Sequence, residues 1–502
     1  MLILGLTYQT QGQEMYDLHP CGTVLGRSPW LINYQANPHL FARRTGETLY
    51  VPLTIHIVGN NDGSNFYREQ NLVQALCTLN ADFAPSGIQF YVPGPIRYIR
   101  STEYSSHTTI HKGAEMMFKY NVPNTINTYF VGNASSFCGY NLPYAGIAIS
   151  QNCAKPSDHT WAHEIGHHFA IPHPFLGWEG GVSWNGSVAH NYNNPAPEKV
   201  LYDYTLFKNE YYPDTLIIDT AWVERLDGSN CAFAADGFCD THPDYLYQRW
   251  QCSAARRSNT VQTDPTGEKF TSDASLIMSY AFDQCSAVFT PQQMDAMRAY
   301  LTDVRYYYLS DYTPPEVPST ETIRYLRPAE NSTVFFRNVT LEWEPVENAT
   351  AYLIQISTSQ NFGIILADTI VYEHQATFES LRNNTTLHWR VKPLNSYHSC
   401  TDFSGRSFFS TSSVSHTTET DLQHSFSVYP TLVQNNTPVR ISNRSGKAAS
   451  VQVSDMYGRL LYTTDYGDEN LILDCKDWMN GTYILRVEQQ GWSQSFKILI
   501  AR

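Results

Sequence analysis

The sequence predicts an α+β domain followed by two small all-β sandwich domains. Three observations carry this expectation. Over residues 46–312, strand-length apolar stretches interleave with helix-length amphipathic ones. Pro314, Pro315 and Pro318 then mark a break. Beyond them, apolar residues alternate with polar ones in short runs, the period of half-buried strands. At 502 residues the chain is also too long for a single core.

Taken in order, residues 2–6, Leu2-Ile3-Leu4-Gly5-Leu6, read as the end of a signal peptide's apolar region, placing a remnant over residues 1–15. Leu49, Val51, Leu53 and Ile55 alternate in a strand running to about Val58. A helix from about Phe66 to Phe83 gathers Leu72, Ala75, Leu76 and Leu79 on one face, and Cys77 beside them is expected as a buried thiol. Strands follow near Ile126–Val131 and Ala145–Ser150. The next helix is expected to be capped by Asp158 or Thr160. Between His173 and Met278 lies a segment rich in Gly, Asn, Pro and Tyr, longer than a simple loop and expected to wall a cleft. Thr290, Pro291 and Gln293 then set up a capped helix with Met294, Met297 and Leu301 on one face. Residues 313–320 form a linker, and the two β domains occupy residues 321–412 and 424–502.

The run His163-Glu164-Ile165-Gly166-His167, with His173 six residues later, carries the chemistry. Positions i and i+4 share one helix face, so His163 and His167 can direct ring nitrogens at one cation. Three imidazoles leave one position of a tetrahedral zinc open for water, as catalysis requires. Glu164 lies beside that position, where a carboxylate takes a proton from water and passes it to a leaving amine. With 17 histidines in the chain, chance delivers this constellation on the order of once in a thousand chains.

The His163–Phe175 run, Met278 in Ile277-Met278-Ser279-Tyr280, Cys285 and Phe289-Thr290-Pro291-Gln292 together resemble the pappalysin branch of the metzincin metallopeptidases. The resemblance implies a metzincin-type catalytic domain, a twisted mixed sheet plus active-site helix, over residues 46–312. It implies that Met278 lies beneath the three histidines, that Tyr280 helps stabilise the tetrahedral intermediate, and that Cys252 and Cys285 form a disulfide. Cys21-Gly22-Thr23 resembles the stretch of pappalysin prosegments whose thiolate occupies the zinc, which implies a prosegment over residues 16–45 that keeps the protein latent. Arg43-Arg44-Thr45-Gly46 is a dibasic stretch at which it could be removed. Asp283, five residues after Met278, stands where a basic-selective pocket in that family carries its carboxylate, implying Arg or Lys on the primed side. Asp240-Thr241 resembles an element associated there with calcium. One position departs: the family's Gly, seven residues after the first His, is Ala170. A Cβ in the left-handed conformation costs about 1–2 kcal/mol, so either the turn differs or it is strained.

Pro328, Trp343, Pro345, Ala349, Tyr352, Leu381 and Trp389 resemble a fibronectin type III sandwich, with Trp343 and Trp389 meeting in its core and a spacer as its expected role. Val428-Tyr429-Pro430, Val451–Arg459 and Asn480–Val487 resemble the C-terminal sorting domain of type IX secretion in Bacteroidetes. That implies the secretion machinery as a partner and an address outside the cell or on its surface.

Composition bounds the rest. The net charge of −14 argues against nucleic acid as a partner, and no apolar run is long enough for a transmembrane helix. Ten cysteines permit disulfides, with Cys138–Cys153 and Cys231–Cys239 as plausible local pairs. The reading is therefore a secreted, latent, monomeric zinc endopeptidase acting on proteins or peptides. The alternative is a surface adhesin or binding protein on a decayed protease scaffold.

Overall fold

The computed structural model describes residues 18–23, 26–42, 44, 46–178, 190–203, 218–309, 313–319, 323–413, 426–434, 437–443, 448–456, 458–467, 470–489 and 492–501. The expected signal-peptide remnant, and Arg43 and Thr45 of the dibasic stretch, lie outside them. The chain forms two compact units, one holding most of the residues up to Phe409 and the other the C-terminal domain from Ser410 with two short upstream stretches.

In the first unit, β1 (His19–Cys21) and α1 (Pro29–Ala36) precede β2 (Leu49–Gly59), α2 (Glu69–Phe83), β3 (Ile88–Tyr91), α3 (Ile110–Tyr120), β4 (Ile126–Val131), β5 (Phe137–Leu142), β6 (Gly146–Ser150), α4 (Thr160–His168) and α5 (Pro291–Asp303). The central sheet runs β3-β2-β4-β6-β5. Its neighbours are parallel except β5, which turns back antiparallel to β6 and carries β1 parallel on its outer edge.

β2 is buried almost throughout because helices cover both faces of the sheet. Leu49, Val51, Leu53, Ile55 and Ile57 join Phe130, Leu72, Leu76, Leu79 and Phe83 in the main core, with Trp161 and Ile165 of α4 and Met297 and Leu301 of α5. Val58, Tyr129 and Val131 point to the other face, onto Met116 and Met117 of α3. α4 is thus embedded in the core on its apolar side, each such large side chain contributing about 1.5–3 kcal/mol of burial. The segment after His173 has its own core, built from Phe175, Trp178, Val200, Tyr245, Trp250 and Phe270.

Two expectations are corrected. Neither Asp158 nor Thr160 caps α4: His159 is the N-cap and makes no side-chain cap bond. Asp158 instead accepts from the Lys155 N–H at 2.8 Å. Cys77 is not a free thiol but is bonded to Cys400. It sits beside, not within, the buried face of α2.

Cys400 belongs to the sandwich built on β7 (Ala351–Ser357), β8 (Ile365–Val371) and β9 (Thr386–Leu394). β7 pairs antiparallel with both neighbours, Leu353 facing Ile370 and Lys392. Trp343 and Trp389 are fully buried, their rings 6.2 Å apart and tilted by 59°. This sandwich is no free spacer. Besides the disulfide, Val73 of α2 packs with Ala351, Leu353 and Leu394. Arg68 pairs with Asp368, whose other oxygen accepts from the Gln70 N–H at 2.9 Å, and Tyr91 stacks on Tyr397 at 4.3 Å.

The C-terminal unit contains β10 (Ala449–Asp455), β11 (Leu460–Tyr466), β12 (Gly481–Gln489) and β13 (Trp492–Ile500). They lie in the order β13-β12-β10-β11, each antiparallel to the next. Alternate residues, Val451 and Val453, Leu485 and Val487, Ile498 and Ile500, fill its core. Among the described residues no helix is long and apolar enough to cross a membrane.

Candidate metal centre

His163 and His167 project from one face of α4, and His173 returns to them after a sharp turn. That turn is where Ala170 replaces the expected Gly, and it keeps the left-handed backbone, with φ +67°. The Ile171 N–H donates to Gly166 O at 3.0 Å and the Ala170 N–H to His167 O at 2.9 Å. These two bonds form a Schellman cap closed by an alanine. The strain is accepted locally and the third histidine is delivered.

The three Nε2 atoms stand 3.1, 3.1 and 3.2 Å apart. Nδ1 of His163 donates to Ile277 O at 2.8 Å and Nδ1 of His167 to Ile171 O at 2.8 Å. A carbonyl only accepts, so those protons reside on Nδ1 and both Nε2 atoms carry lone pairs. Burial, with the charge of neighbouring imidazoles, holds His163 near pKa 3 and His167 well below its usual range. Neutral, close-set nitrogen acceptors with no proton to share are a donor set that fits a zinc-like cation.

Cys21 completes the cluster: its Sγ and the three ring nitrogens all lie within 4.8 Å of one another, and all four residues are buried. β1 puts it there by pairing Cys21 with Gly139 of β5, the Gly22 N–H donating to Gly139 O at 2.8 Å. Burial and the nearby Glu164 push the thiol well above its ordinary range.

Glu164 is fully buried, and burial pushes its carboxyl up to about 8. Oε2 accepts from the Thr23 hydroxyl at 2.8 Å, while Oε1 has no hydrogen-bond partner. Gly139 makes room for it, since a Cβ there would sit 2.9 Å from Glu164 Cγ. Met278 lies under the helix against Gly166, where a Cβ would come within 2.5 Å of its Sδ. The Tyr280 ring is 4.9 Å from that of His173, and its hydroxyl donates to Cys21 O at 3.3 Å.

Asp283 is brought close to α4 but is not free. Oδ1 accepts from the His159 N–H at 2.7 Å and Oδ2 pairs with Arg249. Asp240 and Thr241 do not converge: Asp240 accepts from the Gln292 N–H at 2.8 Å, whereas the Thr241 hydroxyl donates to Asp236 and to Phe238 O. Near them, Asp236 Oδ2 and Glu224 Oε2 are buried without hydrogen-bond partners. Burial raises Glu224 to about 9, with Asp236 adding its charge, and raises Asp236 to about 7. Four disulfides are present, Cys252–Cys285, Cys138–Cys153, Cys231–Cys239 and Cys77–Cys400.

Sequence reasoning missed Thr23 as a partner of Glu164, Arg249 as a partner of Asp283, and the Glu224–Asp236 carboxylates. For the last two no local signal exists, because the residues meet only through long-range folding of a loop-rich segment.

Residues 427–501 match the family described as the secretion system C-terminal sorting domain. An extracellular metalloprotease of Colletotrichum graminicola is 25% identical over 175 residues, covering 30% of this chain and 59% of that protein. The chain thus spans about three fifths of the length of the relative it matches. A Tannerella forsythia promirolysin mutant aligns over 58% of this chain and 97% of its own, with 16% identity and a TM-score of 0.38. The fibronectin domains of chicken CNTN1 align over 38% of this chain and 70% of theirs, with 14% identity and a TM-score of 0.19. The chain is similar to metalloproteases, relatives that imply a metal cofactor, and it carries the sorting domain that directs type IX export in Bacteroidetes. It is an extracellular or cell-surface protein.

Proposed function

We propose that this protein is a pappalysin-like zinc endopeptidase held latent by its own N-terminal segment. The observation that carries the reading is the set of three buried Nε2 atoms 3.1–3.2 Å apart, two of them with their Nδ1 protons committed to carbonyls.

Zinc held by His163, His167 and His173 supplies Lewis-acid polarisation of a carbonyl and acidifies water. The remaining work belongs to the chain. Glu164 Oε1, without a partner, is the oxygen that takes a proton from the attacking water and passes it to the leaving nitrogen. Burial raises this carboxyl, which favours the second half of the transfer, donation to the leaving nitrogen. The Tyr280 hydroxyl, now on Cys21 O, becomes a donor to the oxyanion once that carbonyl has left. The β5 edge that β1 occupies becomes available to an extended substrate.

Residues 16–45 are the prosegment in this reading and 46–312 the catalytic domain, with Cys21 as the zinc ligand of the latent form. The Arg or Lys preference expected from Asp283 requires a free carboxylate, whereas Asp283 already accepts from Arg249. If calcium also binds, the open donors are Asp236 Oδ2 and Glu224 Oε2 rather than Asp240 and Thr241.

The test is zinc content and peptide hydrolysis of the full chain, of the chain nicked after Arg44, and of Glu164→Ala. Hydrolysis that appears on nicking, and is lost in Glu164→Ala with zinc retained, is the expected result. Stoichiometric zinc with no cleavage of a peptide library by the nicked chain overturns the reading.

A further inference from the structure

The cleft beside the histidines is bounded by two stretches of backbone, and β1 shows where they lie. Cys21 pairs with Gly139 of β5 on one side, and on the other its carbonyl receives the Tyr280 hydroxyl. The Tyr280 wall continues to Asp283, with residues 249–250 laid alongside. The Trp250 N–H donates to Tyr280 O at 3.2 Å, and the Phe282 N–H to Trp250 O at 3.0 Å. Arg249 and Asp283 meet at the end of this wall. Asp283 also holds the backbone N–H of His159, one helical turn before His163.

The two side chains keep 15% and 16% of their surface accessible, whereas His163, Glu164, His167 and His173 are buried. The pair is thus partly accessible, and it lies close enough to His163 for both charges to act on that imidazole. Both carboxylate oxygens of Asp283 are occupied, one by a backbone N–H and one by the guanidinium. Arg249 lies 5.4 Å from the Phe282 ring, and its buried Nε has no hydrogen-bond partner. A cationic side chain arriving here must displace a charge already paired in a poorly hydrated place and then sit against the displaced guanidinium. An anionic one must take the guanidinium from Asp283 and leave that carboxylate unpaired, with Asp82 close behind on His159 Nδ1 at 2.9 Å. An uncharged side chain meets neither penalty.

We propose that Arg249 is a specificity-determining residue which closes Asp283, so that the pocket next to the scissile bond takes uncharged side chains in preference to Arg or Lys. The proposal rests on the peptidase reading and gives that site its substrate class. Asp283 remains the carboxylate that would select a base, and Arg249 is the intramolecular base that fills it. Removing the guanidinium converts the pocket to a basic-selective one.

The experiment uses the full chain nicked after Arg44 and three peptides that differ only in the residue after the cleaved bond, Leu, Arg or Glu. The wild type cleaves the Leu peptide with the highest kcat/KM. In Arg249→Ala the Arg-to-Leu ratio rises about tenfold, mainly through KM, and Arg249→Lys returns the wild-type order. Arg249→Gln carries the same expectation as Arg249→Ala should the alanine variant not fold. A wild type that already prefers Arg, or a zinc-loaded Arg249→Ala or Arg249→Gln with an unchanged ratio, overturns the proposal. No cleavage of any of the three peptides by the zinc-loaded chain overturns the peptidase reading and this proposal with it, an outcome distinct from cleavage with the opposite preference.

Discussion

The Thr23 hydroxyl donates to Glu164 Oε2 at 2.8 Å across 141 residues of sequence, and Thr23 Oγ1 itself accepts from the Asn141 N–H at 2.6 Å. One side chain of the N-terminal segment thus satisfies both the proposed general base and the strand edge beside it. In Thr23→Val the carboxylate and the amide lose their partner together, at a cost of about 1–3 kcal/mol. Thermal unfolding should show this loss in the full chain and none in the nicked chain after the segment has been washed away.

Gly139 is the position at which a single methyl group reaches the proposed base. A Cβ there would meet Glu164 Cγ at 2.9 Å and Ile149 Cδ1 at 3.1 Å. Gly139→Ala should keep its zinc, because no histidine is touched, and lower kcat by about a hundredfold through misplacement of the carboxylate. Metal analysis alongside steady-state kinetics checks both halves, and unchanged kcat would sink the assignment of Gly139 as a positioning residue.

Ala170 holds a left-handed conformation that costs about 1–2 kcal/mol with a Cβ. Ala170→Gly removes that strain but frees the unfolded chain, leaving a net gain of about 0.5–1 kcal/mol. Denaturant unfolding should show a higher midpoint with zinc stoichiometry unchanged. At Gly166 the sign is opposite: the added methyl of Gly166→Ala comes 2.5 Å from Met278 Sδ and should destabilise by about 1–3 kcal/mol.

Glu224 is held protonated by burial, with a pKa of about 9. An acid whose pKa is higher in the folded than in the unfolded state adds stability below its unfolded value and loses it as pH rises through the folded one. Without added calcium, the melting temperature should therefore fall between about pH 5 and pH 9, and Glu224→Gln should flatten that slope. If the Glu224 and Asp236 oxygens hold calcium, adding it should restore stability most at the alkaline end. A calcium response of equal size in Glu224→Gln would remove Glu224 from the ligand set.

The parts that were legible in the sequence are those fixed by short-range geometry. The capping box of Thr290 and Gln293 forms as its spacing requires, as does the shared face of Met297 and Leu301. His163 and His167 converge because one helical turn separates them. Trp343 and Trp389 meet because their strands present them to one core. What the sequence hid depends on distant pairs. The N-terminus of α4 carries no side-chain cap from Asp158 or Thr160, while the His159 N–H is held by Asp283 from beyond Met278. Cys77 has the neighbours of a buried thiol, and only the sandwich more than three hundred residues later shows what it joins. Arg249 sits in a segment without periodicity, so nothing local ties it to Asp283.

The Cys77–Cys400 bond spans a sequence separation of 323 residues and joins a helix of the main core to the following sandwich. Such a bond forms and persists only in oxidising surroundings. In reducing surroundings the two domains are therefore not yet covalently joined. Maturation has an order written into it: the chain must be synthesised to Cys400, delivered to its oxidising destination, and only then locked.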